Sequence, residues 1–348
     1  MQTTWFFLLS FMLIVYVVLD GFDFGAGILH LFVAKTDRER RTIFAAIGPV
    51  WDGNEVWLLA FGGVLVFSFP KVYATAFSGF YLPLMMVLWL LVMRGIAIEF
   101  RSHLPNPLWR AFWDAAFTLG STLVAIVLGV ALGNVIRGVP IEATGYFRAP
   151  LFGDFTPGSA SGAIDWFTLA VGVFALLTLA AHGAVYLQWK TSGAIADRCR
   201  RAALGLWIAV VVLGAAVTVA TAFVQPIIFA NLLARPPLYV FPFWIAASLA
   251  GVFLFVRTGR ELLAFLSSAA FIVGMLAATA GALYPTILFS TVDPSLHLTV
   301  HNASAGRSGL VIGLVWWVPA MALATGYFAY LFRSFRGKVE SADDGHGY

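Results

Sequence analysis

Nine long runs of mostly apolar residues, joined by short polar links, leave this chain one general way to fold. They lie at about 5–33, 43–69, 72–98, 112–136, 164–189, 202–228, 238–256, 261–284 and 308–332. A helix needs roughly 20 such residues to cross the hydrocarbon of a bilayer. Inside hydrocarbon every backbone N–H and C=O must be satisfied within the protein, which selects helices. The composition agrees: 61% of the 348 residues are hydrophobic and 11% charged, against about 25% charged in soluble domains. No polar stretch is large enough for an aqueous domain. The expected fold is an all-α polytopic membrane protein of nine transmembrane helices, with residues 1–338 as a single integral membrane domain. The polar end VESADDGHGY, 339–348, is expected to be a disordered tail.

Charge orients the spans. With the N-terminus outside, the inner links hold Lys35, Arg38, Arg40, Arg41, Arg94, Arg101, Arg110, Lys190, Arg198, Arg200, Arg201, Arg257, Arg260, Arg333, Arg336 and Lys338, sixteen of the 21 basic residues. Lys71, Arg137, Arg148, Arg235 and Arg307 fall outside. The positive-inside rule then puts the N-terminus out and the C-terminus in. The net charge of +4 is spread over these links, so it signals topology and gives no nucleic-acid surface. The first run lacks a basic leader and a small-residue cleavage site, and reads as an uncleaved helix. The lone Cys199 excludes an internal disulfide; among Arg198, Arg200 and Arg201 it is expected in a link on the reducing side.

Acids inside a membrane are costly and mark protein interiors or water-filled paths. Here they concentrate at the start of the chain. Asp20 and Asp23 share one helix face, Asp52 and Glu55 repeat the same spacing in the second run, and Glu99 closes the third. Gly21 and Gly25 permit close approach of another helix. If the inner boundaries lie near residues 30 and 45, Asp23 and Asp52 both sit about 10 Å below them. The order inward from the inner surface is Glu99, then Asp52 and Asp23, then Asp20. Such a ladder suits proton relay, whereas the bland alternative has these acids pairing with Arg94 or Arg101 and bracing the bundle. Asn54 lies between Asp52 and Glu55, and the indole N–H groups of Trp51 and Trp57 are expected to donate near these acids. Asp114 reads as a charge at a helix N-terminus.

The histidines answer a different question. A bis-histidine haem site needs facing histidines within spans. Of His30, His103, His182, His297, His301 and His346, His182 alone is well inside a run, with no intramembrane partner, and is expected to be packed or hydrogen-bonded. His297 and His301 have spacing for a metal if the segment is helical. No metal site is expected on this chain. Tryptophans near run ends, such as Trp5, Trp109 and Trp189, fit interfacial anchoring.

The segments LDGFDFGAGIL (19–29), GPVWDGNEVWL (48–58) and PKVYATAFSGFY (70–81) resemble the N-terminal signature of subunit II of the cytochrome bd quinol oxidases. FRSH (100–103), FWDAAF (112–117) and YPTILFSTVDPSLHLTVHNAS (284–304) extend the likeness over nearly the whole chain. The resemblance implies two four-helix bundles plus one peripheral helix, in a multi-pass protein of the bacterial cytoplasmic membrane. It implies a heterodimer with a haem-bearing subunit I that oxidises quinol and reduces O₂ to water. The b and d haems would be held by subunit I, whose assembly this chain supports, and no residue of this chain alone would be catalytic. Acids matching Asp23, Asp52 and Glu99 would line a proton path from the cytoplasm; the residue reading above adds Asp20 and Glu55 as expected further members, with Trp51, Asn54, Trp57, Arg94 and Arg101 in support. The family often has Asp where this chain has Glu99, and in some members His where this chain has Val50. Some members carry a structural quinone or a small single-span subunit beside the lipid; this sequence shows neither. A proton-coupled transporter would also carry intramembrane acids, but would be expected to show an internal repeat and paired interrupted spans. A haem-binding cytochrome b and a purely structural scaffold complete the alternatives.

Overall fold

The structure, a computed structural model, describes residues 1–157 and 162–339. Twelve α-helices are present among these residues: α1 (Gln2–Val33), α2 (Asp37–Ile47), α3 (Trp51–Ser68), α4 (Pro70–Gly79), α5 (Tyr81–Phe100), α6 (Pro107–Arg137), α7 (Trp166–Lys190), α8 (Gly193–Val224), α9 (Pro226–Ala234), α10 (Val240–Thr258), α11 (Glu261–Leu283) and α12 (Arg307–Ser334). Eight helices, α10 together with the 3-10 turn that precedes it, are long and apolar enough to cross a membrane, and α2 with α3, bent by 47°, makes a ninth if taken as one span. The bend falls at Gly48-Pro49-Val50. Pro49 has no N–H to give the helix ladder, and the chain resumes at Trp51.

Several boundaries differ from the sequence expectation, among them the start of α6 at Pro107 and not at 112. The run at 72–98 is broken into α4 and α5 at Phe80. The run at 202–228 begins earlier, as α8, and ends before Pro226. Cys199 therefore lies buried within a helix and not in a link. Arg94, counted among the inner links, is fully buried in α5; the other fifteen inner basic residues still outnumber the five outer ones. The expected tail lies outside the described residues from 340 onward.

One local device occurs twice. α3 ends at Phe69 (φ −134°, ψ 65°) and Pro70 starts the short α4. α8 ends at Gln225 (φ −143°, ψ 76°) and Pro226 starts the short α9. Proline suits the first helical position because its missing N–H would be unpaired there anyway.

α1 is the central element. It packs against α3, α6, α7 and α11. α7 packs against α6, α8 and α11; α5 lies on α6, and α10 on α11. The α1–α7 crossing is close because Gly25 meets Gly183. A Cβ on Gly25 would collide with the Leu179 carbonyl and the Gly183 backbone, and a Cβ on Gly183 with Gly25. α12 lies outside this core, touching α1 and covering Trp57 of α3 with Phe328.

The end of the bundle that holds residue 1 is closed by irregular chain. β1 (Thr286–Leu288) and β2 (Leu298–Thr299) pair antiparallel, and Val139 bridges to Ser290. A buried ion pair between Arg137 and Asp165, with Asn134 donating to the Ala163 carbonyl at 2.7 Å, anchors the link from α6 to α7. His297 and His301 are not on a helix. His297 Nδ1 accepts the Ser290 N–H at 3.0 Å, and His301 Nδ1 lies 3.2 Å from Gln2 Oε1. Burial holds the His297 imidazole pKa below the ordinary histidine value despite the nearby Asp293.

Candidate functional site

Helical spacing on α1 puts Asp20 and Asp23 on one side, and both are fully buried. α5 brings Arg94 to them. Its guanidinium donates to both oxygens of Asp20, Nη2 to Oδ1 at 2.6 Å and Nη1 to Oδ2 at 3.2 Å. This fork geometry is the strong form of a carboxylate–arginine pair. The guanidinium carbon lies 4.3 Å from the Phe24 ring centre, and Nη1 lies 3.7 Å from Glu55 Oε2. α3 adds Asn54, fully buried, whose Nδ2 donates to Asp23 Oδ2 at 2.7 Å. Asp23 Oδ1 and Asn54 Oδ1 are buried acceptors with no donor among the described residues.

Asp20, Asp23, Glu55, Asn54 and Arg94 therefore form one cluster. It holds three carboxyl groups to one guanidinium. Uncompensated charge is too costly to bury, so such a group of acids can hold and pass protons.

Two expected members stand apart. Asp52, in the first turn of α3, is exposed, as is Glu99 near the end of α5. Neither is inside the cluster. The side chain of Glu55 is 24% exposed and lies between the buried acids and the surface. Trp57 packs edge-on against Phe11, and its indole N–H has no acceptor among the described residues. Trp51 lies against Gly95 of α5. The expected donations from these indoles are thus absent for Trp57 and unsupported for Trp51, because both rings are turned to packing.

Arg101 and Asp114 belong to a second cluster that the sequence reading missed. Asp114 is fully buried, eight positions into α6, because the helix starts at Pro107 under an Asn106 cap and not at 112. Its Oδ1 accepts from Arg101 Nε at 2.6 Å and lies 2.7 Å from His30 Nε2; its Oδ2 accepts from Arg40 Nη1 at 3.0 Å. Arg101 Nη2 also donates to Asp37 at 2.7 Å, and Arg110 and Arg41 reach the same carboxylate. The network ties α1, α2, α5 and α6 at one end of the bundle. Asp114 is therefore the hub of a buried ion network and not a simple helix N-terminal charge. The available signal was arithmetic: several arginines near two acids, Asp37 in the link after the first run and Asp114 in the fourth, both toward the inner side.

Haem is a poor fit to these histidines. His182 lies between Ser268 Oγ (2.7 Å from Nδ1) and the Val18 carbonyl (3.0 Å from Nε2), stacked on Phe265. Both nitrogens are occupied, which bears out its reading as a packed, hydrogen-bonded histidine. Among the described residues, no group of three or more histidine, cysteine or acidic side chains is placed to hold a metal ion.

Comparison with known proteins agrees with this architecture. The family model for cytochrome bd terminal oxidase subunit II matches residues 1–335. The chain is 31% identical to the cytochrome bd ubiquinol oxidase subunit 2 of Bacillus subtilis, covering 96% of each chain. It is 30% identical to a probable cytochrome oxidase subunit 2 of Haemophilus influenzae, over 97% of this chain and 94% of the other. It is 39% identical to the cytochrome bd-I ubiquinol oxidase subunit 2 of Escherichia coli over 57% of this chain and 51% of that one. Its fold is that of a chain in the structure of bd oxidase from Geobacillus thermodenitrificans, with a TM-score of 0.67 at 21% identity, over 96% of this chain and 98% of that one. A multi-pass protein of the bacterial inner membrane, this chain belongs to the family of subunit II of the cytochrome bd terminal oxidases.

Proposed function

We propose that this chain is the non-haem-ligating subunit of a quinol:O₂ oxidoreductase, that it packs as a heterodimer with a haem-bearing subunit I and supports its assembly, and that it carries protons from the cytoplasm toward the site of O₂ reduction. In this reading the N-terminus faces out and the C-terminus in, and the helices group as two four-helix bundles with α12 peripheral.

The observation that carries the reading is the split arrangement of the acids. Asp52 and Glu99 are exposed on α3 and α5, within or at the end of apolar helices, while Asp20, Asp23 and Glu55 gather around Arg94 behind them. An exposed carboxylate in an apolar span is unfavourable against lipid and favourable against a partner or a water path. A subunit docked on this face would cover Asp52 and Glu99 and join them to the buried cluster through Glu55. Asp20, held by both guanidinium N–H groups, acts chiefly to fix Arg94. Asp23, with one free oxygen, is the member best placed to take and release a proton.

The test is quinol-driven O₂ consumption by the assembled complex with Asp23→Asn, Asp52→Asn or Glu99→Gln. The path reading expects slowed turnover at normal haem content. Full turnover in all three variants would reduce this chain to a scaffold.

A further inference from the structure

A cavity of about 280 Å³ lies beside the α2–α3 bend, outside the acid cluster. Its walls include Ala46, Val50, Tyr186, Trp189, Lys190 and Phe332. The chain that follows α12, residues 335–339, crosses it as a strap. The cavity has room for several water molecules, since one needs only about 10–15 Å³ of such space.

Two of the lining residues connect the cavity to the neighbourhood of Asp23. Val50 lines it, and the Val50 carbonyl accepts the N–H of Asn54 at 3.0 Å, whose side chain bonds Asp23. Tyr186 lines it too. Its ring stacks on Phe22, the neighbour of Asp23, at 4.0 Å between centres, and its hydroxyl donates to the Ala46 carbonyl at 2.7 Å. Asp23 Oδ1 and Asn54 Oδ1, the acceptors without a donor among the described residues, belong to this Asn54–Asp23 pair.

Among the described residues, the strap is held by five hydrogen bonds and by the packing of Val339 against the core. Lys190 Nζ donates to the carbonyls of Phe335 (2.6 Å) and Gly337 (2.8 Å). The Val339 N–H donates to the Lys190 carbonyl at 2.7 Å, and Lys338 Nζ reaches the Thr191 carbonyl and Glu261, each at 2.9 Å. A second cavity, of about 150 Å³, lies against Val339 as well, between Arg38, Thr42 and Ser192. Local opening of such a segment, flanked by open space, means giving up these part-buried bonds and the packing of Val339, without unfolding a helix.

We infer that this cavity is a water-filled cytoplasmic vestibule for Asp23, separate from the face that carries Asp52 and Glu99, and that the 335–339 strap is its movable cover. The inference rests on the proton-path reading above. A proton would pass from bulk water to vestibule water when the strap lifts, and on to Asp23 past Val50 and Tyr186.

Cys199 is the chain's single cysteine, which permits a direct test. In a Cys199→Ala background, Val50→Cys is exposed to a charged, membrane-impermeant thiol reagent from the cytoplasmic side of the assembled complex. The strap is left intact, ended after Ser334, or weakened by Lys338→Gln in case the truncated chain fails to assemble. Labelling should quicken about tenfold or more without the strap, with Lys338→Gln in between. Once Val50→Cys is labelled, O₂ consumption should fall. Equal labelling rates with and without the strap ties would overturn the cover. A fully labelled complex with unchanged turnover would overturn the vestibule, while the response to Asp23→Asn judges the acid path independently.

Discussion

Arg94 shows how much hangs on one buried guanidinium. It neutralises Asp20 through two hydrogen bonds and lies near Glu55. Arg94→Gln leaves Asp20 buried without its partner, which costs about 3–5 kcal/mol. The variant complex should melt well below the parent, and adding Asp20→Asn should recover most of the loss; an unchanged melting temperature for Arg94→Gln alone would refute the pairing. His297 gives a pH prediction at the same scale. Its folded pKa is depressed by burial, so its stabilising contribution is present above the ordinary histidine value of about 6.5 and lost as pH falls through the lower folded value. Protonated Nδ1 cannot accept the Ser290 N–H. The protection of the Ser290 amide, its exchange measured against the intrinsic rate at each pH, should therefore fall at acidic pH, and should stay constant if the bond does not matter. Nothing in the residue pattern hinted at this bond, because Ser290 and His297 meet only through the fold of the 284–304 segment. It did announce the acids of α1 and α3, since charge in an apolar run is rare whatever the neighbours. What it hid was their orientation: the i, i+3 pattern puts Asp52 and Glu55 on a common side, but not whether that side faces in or out.

At the level of elements, the α1–α7 crossing positions the acid cluster, and it depends on the absence of two side chains. Gly25→Ala forces a Cβ into the Leu179 carbonyl and Gly183. Such overpacking costs about 1–3 kcal/mol, or more where backbone must move. The expected result is less assembled complex at equal expression, measured by the yield of co-purified subunit I; normal yield would show that the crossing can relax. The Gly21/Gly25 spacing made a close approach legible, though not its partner. The break at Phe69-Pro70 fell between two of the expected runs, whereas the one at Gln225-Pro226 lay inside a run and was harder to see. Proline within an apolar run is compatible with a kinked span as well as with a short helix after a stop, and tertiary packing decides between them. The Asp114 network was hidden by a boundary error of five residues: with the start of α6 at 107 and not 112, Asp114 moves from the first turn into the interior, where a carboxylate demands partners.

On the scale of the whole molecule, the nine apolar runs and the asymmetry of basic residues were enough to specify an all-helical membrane protein, because the bilayer admits so few alternatives. Partner surfaces are another matter, since hydropathy does not distinguish a lipid-facing side chain from one that faces another subunit. α8, α10 and α12 present large apolar surfaces, among them Phe223, Phe243 and Trp316, and these suit lipid. The exposed face of α3 and α5 differs by carrying Asp52 and Glu99. Cysteine substitution at Asp52 should be shielded from a water-soluble thiol reagent in the heterodimer and reactive in this chain purified alone; equal reactivity in both would place subunit I elsewhere.

The most direct measurement is the turnover of a heterodimer carrying Asp23→Asn, with haem content checked by its spectrum. If Asp23 relays protons to the oxygen site, quinol-driven O₂ consumption falls by about a hundredfold while the haem bands are unchanged. Full turnover with Asp23→Asn would contradict the account.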